Sequence, residues 1–203
     1  MKNLMITLIL LTFSAQTLAG GRNYDRYRKS KCVSEDTLVL MSDGSHKKII
    51  DVKAGDQVIN QRGGVVEVLY RIVGPEKPEL YKIVMESGKV IKATENHPFV
   101  TQSRHFIKSQ EIAVGMQLIT IDGAESVTEV SRYKYAKNVF GLLLVDPSLA
   151  KDARMKDQDF LEQGWQEELR RSRPFLGLSA PEHSLVTGGI ISGDAVVQGS
   201  LEN

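Results

Sequence analysis

The sequence predicts an all-β domain. Between residues 37 and 145, short apolar stretches alternate with turn signals such as Asp43-Gly44, and many short strands at this spacing are typical of all-β folds. A unit of eight residues also occurs twice, because residues 52–59 resemble residues 112–119. Two copies are too few for a solenoid. The repeat therefore predicts one compact domain of two related halves, with a chance resemblance as the alternative.

The predicted strands follow the apolar stretches in order. They lie at residues 37–41, 48–50, 57–59, 65–73, 80–85, 90–93, 117–121, 127–135 and 139–145. Ser87-Gly88 separates two of them as a hairpin turn. A last tight hairpin is predicted within residues 182–191, where apolar pairs flank Gly188-Gly189.

Residues 147–173 interrupt this β pattern. Acidic and basic residues mix there, and apolar residues between Phe160 and Leu169 have helical spacing. We therefore predict a helical insertion that ends before Pro174. We expect it to cover the sheet, with partner binding as the alternative.

Residues 1–19 have the pattern of a secretory signal peptide. A short positive start leads into an apolar stretch of about ten residues and a small-residue exit at Ala19. That stretch is shorter than the roughly 20 residues that cross a bilayer. We expect cleavage after Ala19, a secreted or periplasmic protein and no stable membrane insertion. An uncleaved anchor is the alternative.

Residues 20–31 form a basic N-terminal arm. The arm carries five basic residues against Asp25 alone and has no apolar periodicity, which is typical of a solvated segment. The formal net charge of the whole chain is only +1, so charge gives no argument for a nucleic-acid partner. The remaining domain is expected to span residues 32–203.

Cys32 is the single cysteine of the chain. In an exported protein a lone cysteine suggests intermolecular pairing or a reactive thiol, and a small buried apolar side chain is the alternative. Cys32 follows the basic arm and begins the patterned sequence. We therefore expect it at the edge of the domain rather than in a core strand, and this position favours a reacting thiol.

Three segments occur in a particular order along the chain. They are CVSEDT at residues 32–37, KATENHP at 92–98, and a closing pair at 139–142 and 183–191 that the insertion splits. Together with the repeat, they resemble the Hint domain shared by hedgehog autoprocessing domains and inteins. The resemblance covers residues 32 to about 194. It implies a compact, pseudo-two-fold, horseshoe-like β-fold.

The resemblance also implies a chemistry. Cys32 would attack the carbonyl of Lys31 and convert the peptide bond into a thioester by an N-to-S acyl shift. His97 would protonate the leaving amide nitrogen, and Thr94 would hold the scissile amide or the developing oxyanion. The alternative is that Thr94 and His97 only form a hydrogen-bonded turn at a strand end.

The closing segment departs from the family pattern. Alignment with inteins places Gly193 and Asp194 where inteins have a His-Asn pair, and Ala195 where they have a nucleophile. Asp194 is a poorer substitute for asparagine in cyclisation, and His183 is expected near the reaction centre. The resemblance therefore predicts cleavage at the Lys31–Cys32 bond without full splicing. Sterol attachment is not expected, because residues 72–74 contain no acid.

The leading hypothesis is a single-turnover, self-processing protein whose substrate is its own N-terminal segment. Water or a small thiol or amine would accept the acyl group. The first alternative is a catalytically silent, secreted Hint-fold binding module, and the second is an exported β-domain with a superficial resemblance. We expect no cofactor and no metal, since the four histidines lack ligand spacing to one another or to Cys32. The sequence does not indicate which protein partner it has, if any.

Overall fold

The computed structural model describes residues 32–74, 79–150, 159–161 and 176–201. Within these residues there are fifteen strands. They are β1 (Val33–Ser34), β2 (Leu38–Leu40), β3 (His46–Lys48), β4 (Gln57–Ile59), β5 (Val65–Gly74), β6 (Glu79–Met85), β7 (Val90–Ala93), β8 (Pro98–Val100), β9 (Phe106–Lys108), β10 (Gln117–Thr120), β11 (Gly123–Lys134), β12 (Val139–Val145), β13 (Asp159–Leu161), β14 (Ser184–Thr187) and β15 (Ile190–Gly193). One α-helix, α1 (Ala195–Ser200), follows β15. No helix among the described residues is long and apolar enough to span a membrane.

The strands are joined by one continuous set of pairings. The order is β13-β5-β12-β1-β7-β6-β11-β10-β15-β14-β2-β3, with β4 paired to β5 and β8 paired to β15 and β9. All of these pairs are antiparallel except β13 with β5. The all-β class predicted from the sequence is confirmed.

The repeat seen in the sequence is a structural duplication. Strands β2, β3 and β4 have counterparts sixty residues later in β8, β9 and β10. Between the second and third strand of each set lies a 3-10 helix, Ile49–Asp51 in the first half and Ser109–Glu111 in the second. The strand predicted at residues 48–50 is therefore wrong in part, because only Lys48 belongs to β3. The chain turns there, and Ile49 is buried in the main core.

Equivalent backbone hydrogen bonds occur in both halves. Ile49 N–H donates to the Thr37 carbonyl at 2.8 Å, as Ser109 N–H donates to the His97 carbonyl at 2.9 Å. The centre of the duplication is the antiparallel pair formed by Val33 in β1 and Ala93 in β7. These two residues are themselves sixty positions apart, so each half contributes the same position to the pair.

The main core is built from both halves. Its buried members include three equivalent pairs, namely Val39 with Phe99, Val52 with Ile112, and Val58 with Leu118. Each of these side chains is at most 5% exposed. Since burial of apolar surface is the main favourable term in folding, the shared core ties the two halves into one unit.

The C-terminal hairpin is formed by the last two strands. Strands β14 and β15 pair around Gly188 and Gly189, whose φ angles of 58° and 80° suit a two-residue turn. This hairpin was predicted from the sequence and is confirmed. β15 also pairs with β8 and β10, which connects the end of the chain to the second half.

Most of the predicted helical insertion at 147–173 lies outside the described residues. Asp159–Leu161 lies inside them, and it is a strand that pairs in parallel with β5. A helix across these three residues is therefore wrong. The edge of β5 offers backbone partners to this segment, and tertiary pairing of this kind overrides local spacing.

Candidate functional site

Cys32 lies immediately before β1 and is 3% exposed. Strand β1 has neighbours on both sides, because Val33 pairs with Ala93 of β7 and with Phe140 of β12. The expected position is therefore wrong in part, because Cys32 is outside the strands as expected but is buried. Although Cys32 begins the patterned sequence, the strands that flank β1 come from much later in the chain and enclose it.

Thr94 holds the backbone of Cys32. Its Oγ1 accepts a hydrogen bond from the Cys32 N–H at 2.8 Å and donates one to the Cys32 carbonyl at 3.1 Å. The Thr94 N–H donates to the same carbonyl at 2.9 Å. The Cys32 N–H belongs to the peptide bond with Lys31. The threonine hydroxyl is thus bonded to the amide nitrogen that would leave in the reaction implied by the Hint resemblance.

His97 is positioned by the turn that begins at Thr94. Its N–H donates to the Thr94 carbonyl at 3.1 Å, and its own carbonyl accepts from the Ser109 N–H and hydroxyl at 2.9 and 3.1 Å. The imidazole is buried and meets the ring of Phe99 edge-on, with centroids 5.1 Å apart. One short turn therefore fixes both predicted helper residues, and its threonine contacts Cys32 directly.

The duplication supplies an internal comparison for this turn. Ser34 and Thr37 occupy the positions of Thr94 and His97, and Thr37 N–H donates to the Ser34 carbonyl at 3.1 Å. Their hydroxyls bond each other at 3.1 Å. The antiparallel register around Val33 and Ala93 sets Lys92 beside Ser34, as it sets Cys32 beside Thr94. The same backbone arrangement therefore occurs twice, but only one copy carries cysteine, threonine and histidine at these positions.

A groove of about 480 Å³ lies at the first copy. Its walls come from the turn after β1, from β2, β3 and β7, and from the closing hairpin. The lining residues are Ser34, Asp36, Thr37, Leu38, His46, Lys89, Val90, Lys92, Ile121, Gly188 and Gly189. Burial opposes ionisation of Asp36, but hydrogen bonds from Ser34 and Lys92 outweigh it and lower its pKa. The two lysines of this groove are already engaged in ion pairs with carboxylates.

His183 and Asp194 form a second buried pair. His183 Nδ1 lies 2.8 Å from Asp194 Oδ2, and the two side chains are 5% and 0% exposed. The same Asp194 oxygen accepts from the Leu144 N–H at 3.1 Å. The other oxygen accepts from Val196 and Val197 N–H groups, at 2.8 and 3.3 Å, and so caps α1. Both carboxylate oxygens of Asp194 therefore accept hydrogen bonds from backbone N–H groups, and Oδ2 also contacts His183.

Two features of the site were missed from the sequence. The first is the capping role of Asp194, which its position directly before Ala195 and two valines signals as a helix start. The second is Tyr135, which packs against the cluster formed by Cys32, Leu80 and Val139. No sequence signal pointed to Tyr135, since its role depends on a contact about one hundred residues away.

Solved structures share this architecture. The chain is similar to the gp41-1 intein, with 19% identity, a TM-score of 0.54, and coverage of 80% of this chain and 98% of that one. A DnaB intein from Synechocystis sp. gives 18% identity, a TM-score of 0.56 and coverage of 82% and 99%. A bacterial intein-like domain from Clostridium thermocellum gives 21%, 0.57, and 81% and 99%. These likenesses establish the fold, which is the Hint-type fold of inteins.

The sequence match is more specific. The chain belongs to the pretoxin HINT domain family, whose model matches residues 38–142, just over half of the sequence. The matched part contains Thr94 and His97, while Cys32 precedes it and His183 and Asp194 follow it. The search among curated proteins found no match.

Proposed function

We propose that this protein cleaves its own chain at the Lys31–Cys32 bond through a thioester on Cys32. The observation that carries the proposal is the hydrogen bond from the Cys32 N–H to Thr94 Oγ1, at 2.8 Å. It holds the amide nitrogen of the bond to be broken. Family membership and the Hint-type fold agree with self-processing as the general activity.

The proposed reaction begins at the cysteine sulfur. Sγ attacks the Lys31 carbonyl carbon, and the negative charge passes to the carbonyl oxygen of the tetrahedral intermediate. The C–N bond then breaks, the nitrogen takes up a proton and becomes the free amine of Cys32, and Lys31 remains on Sγ as a thioester. The proton lost by the thiol balances the proton gained by the amine.

His97 is the proposed proton donor to that nitrogen. Histidine is the side chain that most often serves as a general acid or base. The turn that fixes His97 also fixes Thr94, which already bonds the nitrogen. A single rigid segment would then control both the orientation of the amide and the delivery of the proton.

Water or a small thiol or amine would complete the reaction. Attack on the thioester carbonyl transfers the segment that ends at Lys31 to the acceptor and restores the Cys32 thiol. With water the released segment ends in a free carboxylate. If the predicted signal peptide is removed in an exported chain, the released segment is the basic arm, residues 20–31.

The C-terminal side is proposed to stay intact. Cyclisation at Asp194 would require its side chain to leave the hydrogen bonds from Leu144, Val196 and Val197, as well as the contact with His183. Gly193 has no side chain for proton transfer, and Ala195 has no nucleophile. These contacts argue against splicing and give His183 and Asp194 a stabilising role in this chain.

Intact-mass measurement tests the proposal. The chain from Gly20 to Asn203 is incubated with and without a small thiol, alongside Cys32→Ala and His97→Gln. We expect loss of residues 20–31 from the native chain, faster loss with thiol, none in Cys32→Ala and slow loss in His97→Gln. A folded native chain of unchanged mass in every condition would contradict self-cleavage and leave the silent binding module.

A further inference from the structure

Cys32 is enclosed by two kinds of neighbour. In its cluster, Leu80 and Val139 are fully buried, and they belong to the strands β6 and β12. Tyr135 packs against the same cluster but lies in the connection between β11 and β12. Strands are held by ladders of backbone hydrogen bonds, whereas a connection of this length has few. Of these three neighbours, Tyr135 is therefore the one that no strand ladder holds in place.

The hydroxyl of Tyr135 bridges two backbones. It accepts a hydrogen bond from the Glu35 N–H at 3.0 Å and donates one to the Asn138 carbonyl at 3.1 Å. The first bond attaches the ring to the chain just after β1, three residues beyond Cys32. The second closes the loop 135–138 on itself. Burial raises the pKa of Tyr135, so the phenol keeps its proton and both bonds at neutral pH.

A surface ion pair reinforces the same attachment. Lys137 Nζ binds Glu35 Oε1, so two residues of the loop reach the segment that carries Cys32. The pair is 62% and 29% exposed, and an exposed pair contributes little on its own. Tyr135 is therefore the main tie, with Lys137 as a minor one.

We propose that Tyr135 is a positioning residue that holds loop 135–138 as a strap over Cys32 and limits the access of acceptors to it. This inference rests on the proposed function, since it concerns how a thiol, amine or water reaches that site. Opening the strap breaks the two hydroxyl hydrogen bonds and exposes the Cys32 side chain, while the strands remain paired. The strap would protect the thioester from solvent until it opens.

Alkylation of the cysteine tests the strap directly. The single thiol of the chain is treated with iodoacetamide in a His97→Gln background, where the acyl shift is slowed, and labelling is followed by mass. Tyr135→Phe keeps the ring but loses both hydroxyl bonds, so labelling is expected to accelerate about tenfold. Lys137→Ala is expected to give about a twofold increase. Tyr133→Phe is the matched control, since Tyr133 lies in β11 with its ring under Lys92, and no change is expected.

The urea dependence separates local opening from unfolding. Opening of a short strap exposes little surface, so the rate in Tyr135→Phe should vary only weakly with low concentrations of urea. Ile191→Val loosens the buried hairpin away from Cys32 and should leave labelling in the absence of urea unchanged. The strap would be contradicted if Tyr135→Phe were labelled at the rate of the chain with Tyr135. It would also be contradicted if labelling accelerated but depended on urea as strongly as global unfolding does.

Measuring the release of residues 20–31 distinguishes the proposed self-cleavage from the proposed strap. With His97 intact, Tyr135→Phe should release residues 20–31 faster in added thiol by the same factor as its labelling increases. A native chain that never cleaves would contradict the proposed function, yet the labelling comparison would still decide whether Tyr135 shields Cys32. A chain that cleaves with labelling unaffected by Tyr135→Phe would keep the function and remove the strap.

Discussion

Replacing Thr94 with valine removes one hydroxyl and keeps nearly the same shape. The lost group makes two hydrogen bonds to Cys32, at 2.8 and 3.1 Å, in a side chain that is 4% exposed. Leaving the Cys32 N–H without this acceptor costs about 2–3 kcal/mol of folding stability. Loss of one positioned hydrogen-bonding group at a reacting bond typically slows an acyl transfer roughly 100-fold. We expect Thr94→Val to fold and to release residues 20–31 about 100 times more slowly.

The duplication provides the matched control for this change. Ser34→Ala removes the hydroxyl at the equivalent position of the first half, where it bonds Thr37 at 3.1 Å. This should cost about 1–2 kcal/mol and change the release rate less than about twofold, because the lost hydroxyl does not bond the reacting amide. Thr94→Ser restores the hydroxyl and should recover most of the rate. The measurements are intact mass against time and urea unfolding. Equal slowing by Ser34→Ala and Thr94→Val would refute a specific role for Thr94.

Three further predictions concern the fold. Arg104 has a φ of 65° where its counterpart Gly44 has 82°. In urea unfolding, Arg104→Gly should therefore raise the free energy of unfolding by about 0.5–1 kcal/mol, and Gly44→Arg should lower it. A lower free energy of unfolding in Arg104→Gly would contradict this. Burial opposes ionisation of Glu125, but hydrogen bonds from Lys89, Ser87 and Thr120 lower its pKa from 4.5 to about 2. Its stabilisation is therefore complete above pH 4.5 and is lost towards pH 2, and after discounting for solvent it amounts to about 1–2 kcal/mol. In Glu125→Gln, the urea midpoint should depend less on pH over this range. The same pH dependence in the variant and the native chain would contradict the prediction. Asp194→Ala removes the cap of α1 and the acceptor for Leu144, so it should cost about 2–4 kcal/mol, and Asp194→Asn should cost less; thermal unfolding of both variants checks the order.

Local patterns were enough to predict the β-class, the duplication and the closing hairpin. Turn dipeptides and strand periodicity act over a few residues, and the repeat of residues 52–59 in 112–119 is visible without any structure. Each of these features depends on neighbours in sequence. In the structure, the repeated sequence forms 3-10 helices, strands and turns at equivalent positions of the two halves.

Long-range pairing explains the failures. Local spacing predicted a helix through Phe160, but Asp159–Leu161 forms a strand that pairs in parallel with β5. Cys32 was expected at the edge because it begins the domain in sequence, yet β7 and β12 flank the strand that follows it. Tyr135 could not be anticipated, since its contacts with Glu35 connect segments that no local pattern relates.

Among the candidate site residues too, local motifs were predictable and long-range contacts were not. The spacing of Thr94 and His97 in one short motif let the sequence indicate both. The structure sets them in one turn, whose threonine bonds Cys32. Alignment of the closing segment singled out His183 and Asp194 separately, and the structure adds that the two side chains meet at 2.8 Å. What alignment did not indicate was the helix that Asp194 caps, because the family comparison treated this residue as the end of the domain.

The two-residue strand β1 has a consequence for the timing of biosynthesis. Its partners are Ala93 and the β12 residues Val139 and Phe140, so the ribosome must complete most of the domain before Cys32 can be enclosed. Contacts of such long sequence separation form late in folding. Under the proposed self-cleavage, the Lys31–Cys32 bond of a nascent chain would therefore stay intact. Cleavage would begin only after the later strands have paired with β1.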